Sequence, residues 1–184
     1  MRVLSKFVAF RDSEKLKLDI GTKEPGSPLT IGDVTSVNIT MLKAGVQANV
    51  VPDAAEACVD MRVAPSVDLK KLSAQIHSWA EQEGATLEFI QQFWSNRCTP
   101  LTKDNLWWQG LQEVASEKGI RLEPEIFPAA TDSRYVRQAG YDALGISPFR
   151  FTPVLLHNHD EFLNDKIFLE GIEFYKDLLI KWVG

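Results

Sequence analysis

Leu155-Leu156-His157-Asn158-His159-Asp160-Glu161 places two of the chain's three histidines and two carboxylates within five residues, directly behind an apolar run. Imidazole nitrogen and carboxylate oxygen are the donors that zinc and its neighbours take, and a ligating histidine is usually held in one tautomer by a carboxylate behind it. His157 and Glu161 have the spacing for that pairing. A structural metal site closes with about four ligands and a catalytic one with about three from the protein. This segment supplies one or two, so other residues must complete the shell. The same residues also read as a polar loop or helix start whose histidines simply face water, and spacing does not choose between the two.

A second group lies at Pro128-Ala129-Ala130-Thr131-Asp132-Ser133-Arg134-Tyr135, small residues followed by polar ones, as at a strand-to-helix turn. Thr131 and the N–H groups after it suit an anion at a helix start, and Arg134 offers a planar fork matched to a carboxylate. The plainer alternative makes Thr131 a helix cap and Arg134 a surface ion-pair partner. Asn49 and Arg62 pose the same choice. Asn49 belongs most simply to a hairpin turn and Arg62 to an ion pair with Asp60 on one strand face, yet both types also contact a ligand's carbonyl or carboxylate. The pair Trp107-Trp108 reads as helix core plus rim, with a stacking platform the lesser option. His77 reads as a surface histidine within a helix.

These residues need elements to hold them. Val3, Leu4, Phe7, Val8 and Phe10 recur in helical rhythm, so a helix is expected from the first residues to about Leu18. No capping residue precedes it, the pattern expected of a helix cut from a longer protein. Gly21 to Pro28 then reads as a surface loop. Val37, Ile39 and Met41 alternate with Ser36, Asn38 and Thr40. Ala57, Val59, Met61 and Val63 alternate with Glu56, Cys58, Asp60 and Arg62. Two antiparallel strands joined through Gly45 and Pro52 follow from that. A helix capped by Ser66 carries Leu69, Leu72, Ile76, Trp79 and Ala80 and stops at Gly84, and Thr86–Ile90 returns to strand character. After a boundary near Asn96–Pro100, the pattern gives a helix through Leu106–Ala115, a strand over Arg121–Phe127, a short apolar run at Ala143–Ile146 and a closing helix from Ile167 to Leu179. The expected class is α/β (α+β): a helix-and-strand sandwich lacking one strand of the ferredoxin-like plan, then a parallel or mixed α/β layer, at whose strand ends ligands gather.

Composition narrows the function. With 184 residues and 45% hydrophobic content the chain can bury a core as one domain or two small ones. Its 25 acidic against 20 basic residues give a net charge of -5, which argues against nucleic acid as main partner. No apolar run approaches the roughly 20 residues that span a bilayer, and the start lacks a signal-peptide core, so no membrane partner is expected and the cytoplasm is the expected compartment. Cys58 and Cys98 are too few for a disulfide framework and read as reduced thiols, with a single bridge left open.

Val34-Thr35-Ser36-Val37-Asn38, Ala48-Asn49-Val50-Val51-Pro52, Asp60-Met61-Arg62-Val63-Ala64-Pro65, Pro128 to Tyr135 and Thr152-Pro153-Val154-Leu155-Leu156-His157-Asn158-His159-Asp160-Glu161 form five ordered motifs. In order and spacing the chain resembles the aminoacylases, the N-acyl-L-amino-acid amidohydrolases of the dinuclear zinc peptidase family, over essentially its whole length. The resemblance implies a zinc-binding catalytic domain interrupted by a ferredoxin-like lid through which two subunits dimerise. Residues 1–96 would be that lid without its first strand, and residues 97–184 the last catalytic-domain segment. It implies that His157 is a zinc ligand and Glu161 its supporting carboxylate rather than a ligand. Asn49 and Arg62 would reach into the partner subunit's active site and contact the substrate's polar groups. Thr131 and Arg134 would line the pocket, with Arg134 on the free carboxylate of the N-acyl-L-amino acid.

In that family two zinc ions acidify a bridging water, a glutamate accepts its proton, and hydroxide attacks the amide carbonyl. The family's His-x-Asp motif, bridging Asp, Glu-Glu pair, further metal-binding carboxylate and lid histidine are not found in this sequence. The expectation is therefore a C-terminal part that holds no catalytic residue of its own, supplies one zinc ligand, and is inactive without an N-terminal catalytic portion. A non-catalytic dimerisation or ligand-binding module is the alternative. A truncated product, poorly soluble because of an unpaired sheet edge, is the third.

Overall fold

The apolar stripe at the start folds as helix α1, Arg2–Ile20, in a computed structural model that describes residues 1–23 and 26–184. Phe7 is buried on its inner face, with Val3 and Phe10 beside it. No side chain caps its start, as the sequence indicates. Past Gly21 the expected loop is partly ordered into a ladder, because Thr22–Lys23 (β1) pairs antiparallel with Ser27–Pro28 (β2). Glu24 and Pro25, at the centre of that loop, lie outside the described residues. A single 3-10 turn at Ile31–Asp33 leads into β3.

Strands β3 (Ser36–Ala44) and β4 (Ala55–Arg62) form the expected antiparallel hairpin. One detail of the alternation is corrected. Ile39 pairs with Val59 and Met41 with Cys58, so Thr40 is an extra residue, a β-bulge. Because directly opposed residues share a face, the bulge moves Met41 off the face of Val37 and Ile39 and onto that of Cys58 and Asp60. Helix α2 (Leu69–Gln82) follows, and its cap is Asp68 rather than Ser66: the Asp68 carboxylate accepts from the N–H groups of Lys70 and Lys71 at 3.0 and 3.1 Å. Ser66 lies in the preceding turn, two residues too early to reach them. Gly84 takes φ +65° just past the helix, the left-handed conformation glycine adopts without a Cβ penalty.

Phe7, Val37, Leu72 and Ile76 form the core of the first unit, Met1–Arg97 with Glu125–Thr131; the edge of Trp79 meets Phe7 with ring centroids 5.2 Å apart. Two helices thus cover one face of the hairpin. Leu87 and Phe89 pack against this core while Glu88 and Ile90 stay exposed, so the two-residue period read at Thr86–Ile90 persists. The strand does not, because among the described residues no neighbouring edge supplies ladder hydrogen bonds.

Asp33 fastens the 3-10 turn. Its Oδ2 accepts from Thr30 N and Thr30 Oγ1, both at 2.7 Å, and meets Lys23 Nζ at 2.6 Å. Partial burial pushes the Asp33 carboxyl up, but the Lys23 and Thr30 bonds outweigh it and hold the group below the ordinary 3.8. A carboxyl depressed in the folded state contributes stability above its unfolded value, and that contribution is lost as pH falls through the folded value. Asp33→Asn should therefore lower Tm at about pH 6, with the gap to the unaltered protein closing toward about pH 3. Thermal melts at both pH values check this.

The second unit, Cys98–Pro124 with Asp132–Gly184, is built on helices. Helix α3 (Leu106–Glu117), capped by Asn105, packs against α5 (Asp165–Val183), capped by Asn164, through Leu111, Val114, Phe174 and Leu178. The short α4, Ser133–Gln138, lies between them in sequence. Gly110 permits close packing: a Cβ there would sit 2.6 Å from Trp182 Nε1. Trp108 packs on this core, whereas Trp107 lies at the rim edge-on to Trp182. The strands expected at Arg121–Phe127 and Ala143–Ile146 are extended pieces that place Leu122, Leu144 and Ile146 on the core but form no ladder among the described residues. Among the described residues the parallel or mixed layer expected here is accordingly not formed, and the class is α+β with small antiparallel sheets. Thr99 holds the extended piece at 98–105 to the one at 141–146, its Oγ1 donating to Ala143 O at 2.8 Å and accepting from Ala143 N at 2.9 Å. No helix among the described residues is long and apolar enough to cross a membrane.

Candidate functional site

In the first unit, Arg62 is the last residue of β4, opposite Ser36, and Asp60 stands opposite Asn38. Arg62 Nε donates to Asp60 Oδ2 at 2.7 Å, so the ion pair anticipated from spacing is present; the side chains remain 46% and 41% exposed. Asn49 lies at the other end of the hairpin, exposed in a turn where Val50 N donates to Gln47 O at 3.2 Å. The eight residues of β4 put roughly 23 Å between the two ends at the usual rise per residue. Within one molecule, then, Asn49 and Arg62 are not brought together. The connection at 45–54 and the adjoining strand ends wall an open concavity of about 630 Å³, whose lining includes Lys43, Asp53 and Glu56 but neither Asn49 nor Arg62.

Thr131 is exposed at the end of the first unit's 125–131 segment. It is not a helix cap. That position belongs to Asp132, whose own side chain makes no cap bond. Helix α4 has only six residues and an acidic residue stands at its N-terminus, so its helix dipole adds little to anion binding there.

In the second unit, Arg134 occupies the first turn of α4, half-buried, with its guanidinium 5.3 Å from the centre of the Tyr135 ring. That distance is within reach of a cation–π contact, which orients the fork. His157 and Glu161 are exposed in successive turns closed by Asn158 N to Leu155 O at 3.0 Å and Glu161 N to Asn158 O at 3.4 Å. His157 takes φ 66°, a left-handed backbone that costs a residue with a Cβ about 1–2 kcal/mol. No hydrogen bond joins His157 to Glu161 among the described residues, and no three His, Cys, Asp or Glu side chains there are grouped to hold a metal ion. Cys58 is half-buried and Cys98 exposed, both as thiols. One buried acid escaped sequence reasoning: Glu14 on α1 accepts from Thr35 N at 2.8 Å, and its place on the helical stripe of Val3, Phe7 and Phe10 is the signal that could have found it.

The family described as the peptidase dimerisation domain matches residues 1–88. Aminoacylase-1A of Rattus norvegicus is 46% identical over 180 residues, covering 97% of this chain and 43% of the relative. Aminoacylase-1 of Homo sapiens is 44% identical with the same coverage, and that of Dictyostelium discoideum 42% over 187 residues, covering 97% of this chain and 45% of the relative. The chain thus spans less than half the length of these curated relatives.

Proposed function

We propose, from the premise that this chain belongs to the aminoacylase family and corresponds to a C-terminal part of its members, that it serves in hydrolysis of N-acyl-L-amino acids to a carboxylate and a free amino acid. The observation that carries the reading is the similarity to aminoacylases over 97% of the chain. Residues 1–96 act as the lid and dimerisation module, through which two copies associate, and residues 97–184 as the last segment of the catalytic domain. Arg134, steadied on Tyr135, takes the substrate's free carboxylate beside Thr131. Asn49 and Arg62 take polar groups of a substrate bound to the other subunit. Their separation along the hairpin supports different contact points for the two. The cytoplasm is the proposed compartment.

His157 is proposed as a single imidazole donor to zinc, with Glu161 as the nearby carboxylate. Its left-handed backbone supports a functional constraint, since such strain persists where surroundings hold a side chain to a task. A zinc site needs about three or four ligands, and the described residues offer no group of three. They do not by themselves fit a zinc ion. What this chain supplies is recognition: Arg134 and Thr131 toward the substrate of its own subunit, and Arg62 and Asn49 toward that of the other.

The purified chain, supplied with zinc and an N-acetyl amino acid, should release no amino acid above background. Turnover comparable with an intact aminoacylase would defeat the assignment of the nucleophile-generating groups to other polypeptide. The match of residues 1–88 to a dimerisation domain favours one further reading, a non-catalytic module that dimerises and binds ligand. Turnover on adding an aminoacylase N-terminal portion with zinc separates the two, because a stable dimer that binds N-acyl amino acids yet gives no turnover with that portion supports the module.

A further inference from the structure

We propose that Asp60 is a positioning residue that presents Arg62 to the carboxylate or acyl oxygen of the substrate. The inference rests on the reading of Arg62 as a substrate contact and adds to it the group that aims it. Residues two apart in a strand share a face, and here the polar face at the base of the hairpin carries Ser36 opposite Arg62 and Asn38 opposite Asp60. Asp60 Oδ2 holds Nε of the guanidinium at 2.7 Å.

That choice of nitrogen matters. A guanidinium has five N–H donors in a rigid plane, and the Nη1–Nη2 edge alone can meet a second carboxylate with two parallel bonds. An acid seated on Nε fixes the plane while leaving that edge for a second partner. Among the described residues the Arg62 side chain makes no other hydrogen bond. Both side chains are substantially exposed, so the pair adds little to folding, but it removes rotamer freedom that Arg62 would otherwise lose on binding. The repulsion between Asp60 and a bound carboxylate is outweighed because the guanidinium lies between them, closer to each than they are to one another.

The test uses the full chain, isotope-labelled with nitrogen-15 and titrated with N-acetyl-L-methionine while the amide signals of Asp60–Val63 and the Arg62 Nε–H signal are followed. Expected is a slowly exchanging Arg62 Nε–H that becomes fast-exchanging in Asp60→Asn and Asp60→Ser. Both variants should bind about two- to fivefold more weakly, the range a solvent-exposed ion pair provides. The double variant Asp60→Asn with Arg62→Lys should bind no worse than Arg62→Lys alone. If Arg62→Lys weakens binding while the Asp60 variants bind normally, or add their full effect to it, the positioning role is overturned and the Arg62 contact stands. If the unaltered chain shows no response at these signals, the Arg62 reading itself fails and takes the inference with it. Loss of folded circular dichroism in both Asp60 variants would also overturn the proposal, by making Asp60 a structural residue.

Discussion

Gly32→Ala should destabilise the first unit by about 3 kcal/mol, at the upper end for overpacking a site that cannot relax. A Cβ built on Gly32 falls inside the carbonyl group of Ile126, with the Ile126 carbonyl carbon at 2.6 Å and its Cβ at 2.9 Å. The obstruction is backbone, so no rotamer change relieves it. Either the 3-10 turn at Ile31–Asp33 or the whole 125–131 segment must move. That segment ends at Thr131, and the substitution should therefore also shift the Thr131 amide signal. Urea unfolding followed by circular dichroism, with hydrogen exchange at the buried Val37 amide to assign the loss to this unit, measures the effect. A change below about 0.5 kcal/mol, the range of an ordinary surface substitution, would mean that the segment does not lie against Gly32.

Glu14→Ala is expected to cost about 2–4 kcal/mol. Glu14 is only 4% exposed and its Oε2 takes the Thr35 N–H at 2.8 Å, while its Oε1 pairs with Lys17. Thr35, 1% exposed, in turn accepts from Ala64 N at 3.2 Å through Oγ1. One acid therefore ties α1 to the start of β3, and through Thr35 to the residues just past β4. Alanine removes the acceptor and leaves the Thr35 N–H buried without a partner. Glu14→Gln keeps an acceptor and should cost about 1 kcal/mol, and Lys17→Ala, which alters only the exposed end of the pair, less than that. Equal losses for Glu14→Ala and Lys17→Ala in denaturant titrations would refute the buried link.

Much of this was legible in the sequence, and the misses have a common cause. Helical stripes at Phe7, at Leu72–Ile76, at Leu111–Val114 and at Phe174–Leu178 are periodic over several turns, and each became a helix with that stripe inside. The hairpin was equally plain from alternation through Asp60-Met61-Arg62, as was the Asp60–Arg62 pair. Thr86–Ile90 shows what alternation cannot say: it predicts that Leu87 and Phe89 turn inward, and they do, but a strand also needs an edge to bond with, which local pattern does not encode. Caps failed by one or two positions. Asp68 displaced Ser66 because the competing side chains stand within two residues of each other and the helix start selects only one, while at α4 the cap position falls on Asp132 instead of Thr131 and is left without a side-chain cap bond. Of the candidate site, the residue types were readable at His157, Arg134, Asn49 and Arg62. The left-handed backbone of His157 had no local signal, whereas Glu14 stands on the inward stripe of Val3, Phe7 and Phe10 and only its partner Thr35 is remote in sequence.

The supernumerary Thr40 has a consequence for how the hairpin tolerates change. Side chains in a strand are assigned to faces by odd or even count, and this arm has its count reset between Ile39 and Met41. Deleting Thr40 would remove the bulge yet leave Met41 opposite Cys58 and Leu42 opposite Ala57; deleting Met41 with it would bring Leu42 opposite Cys58 and exchange its face. Length changes in this arm are thus filtered by parity before they are filtered by chemistry.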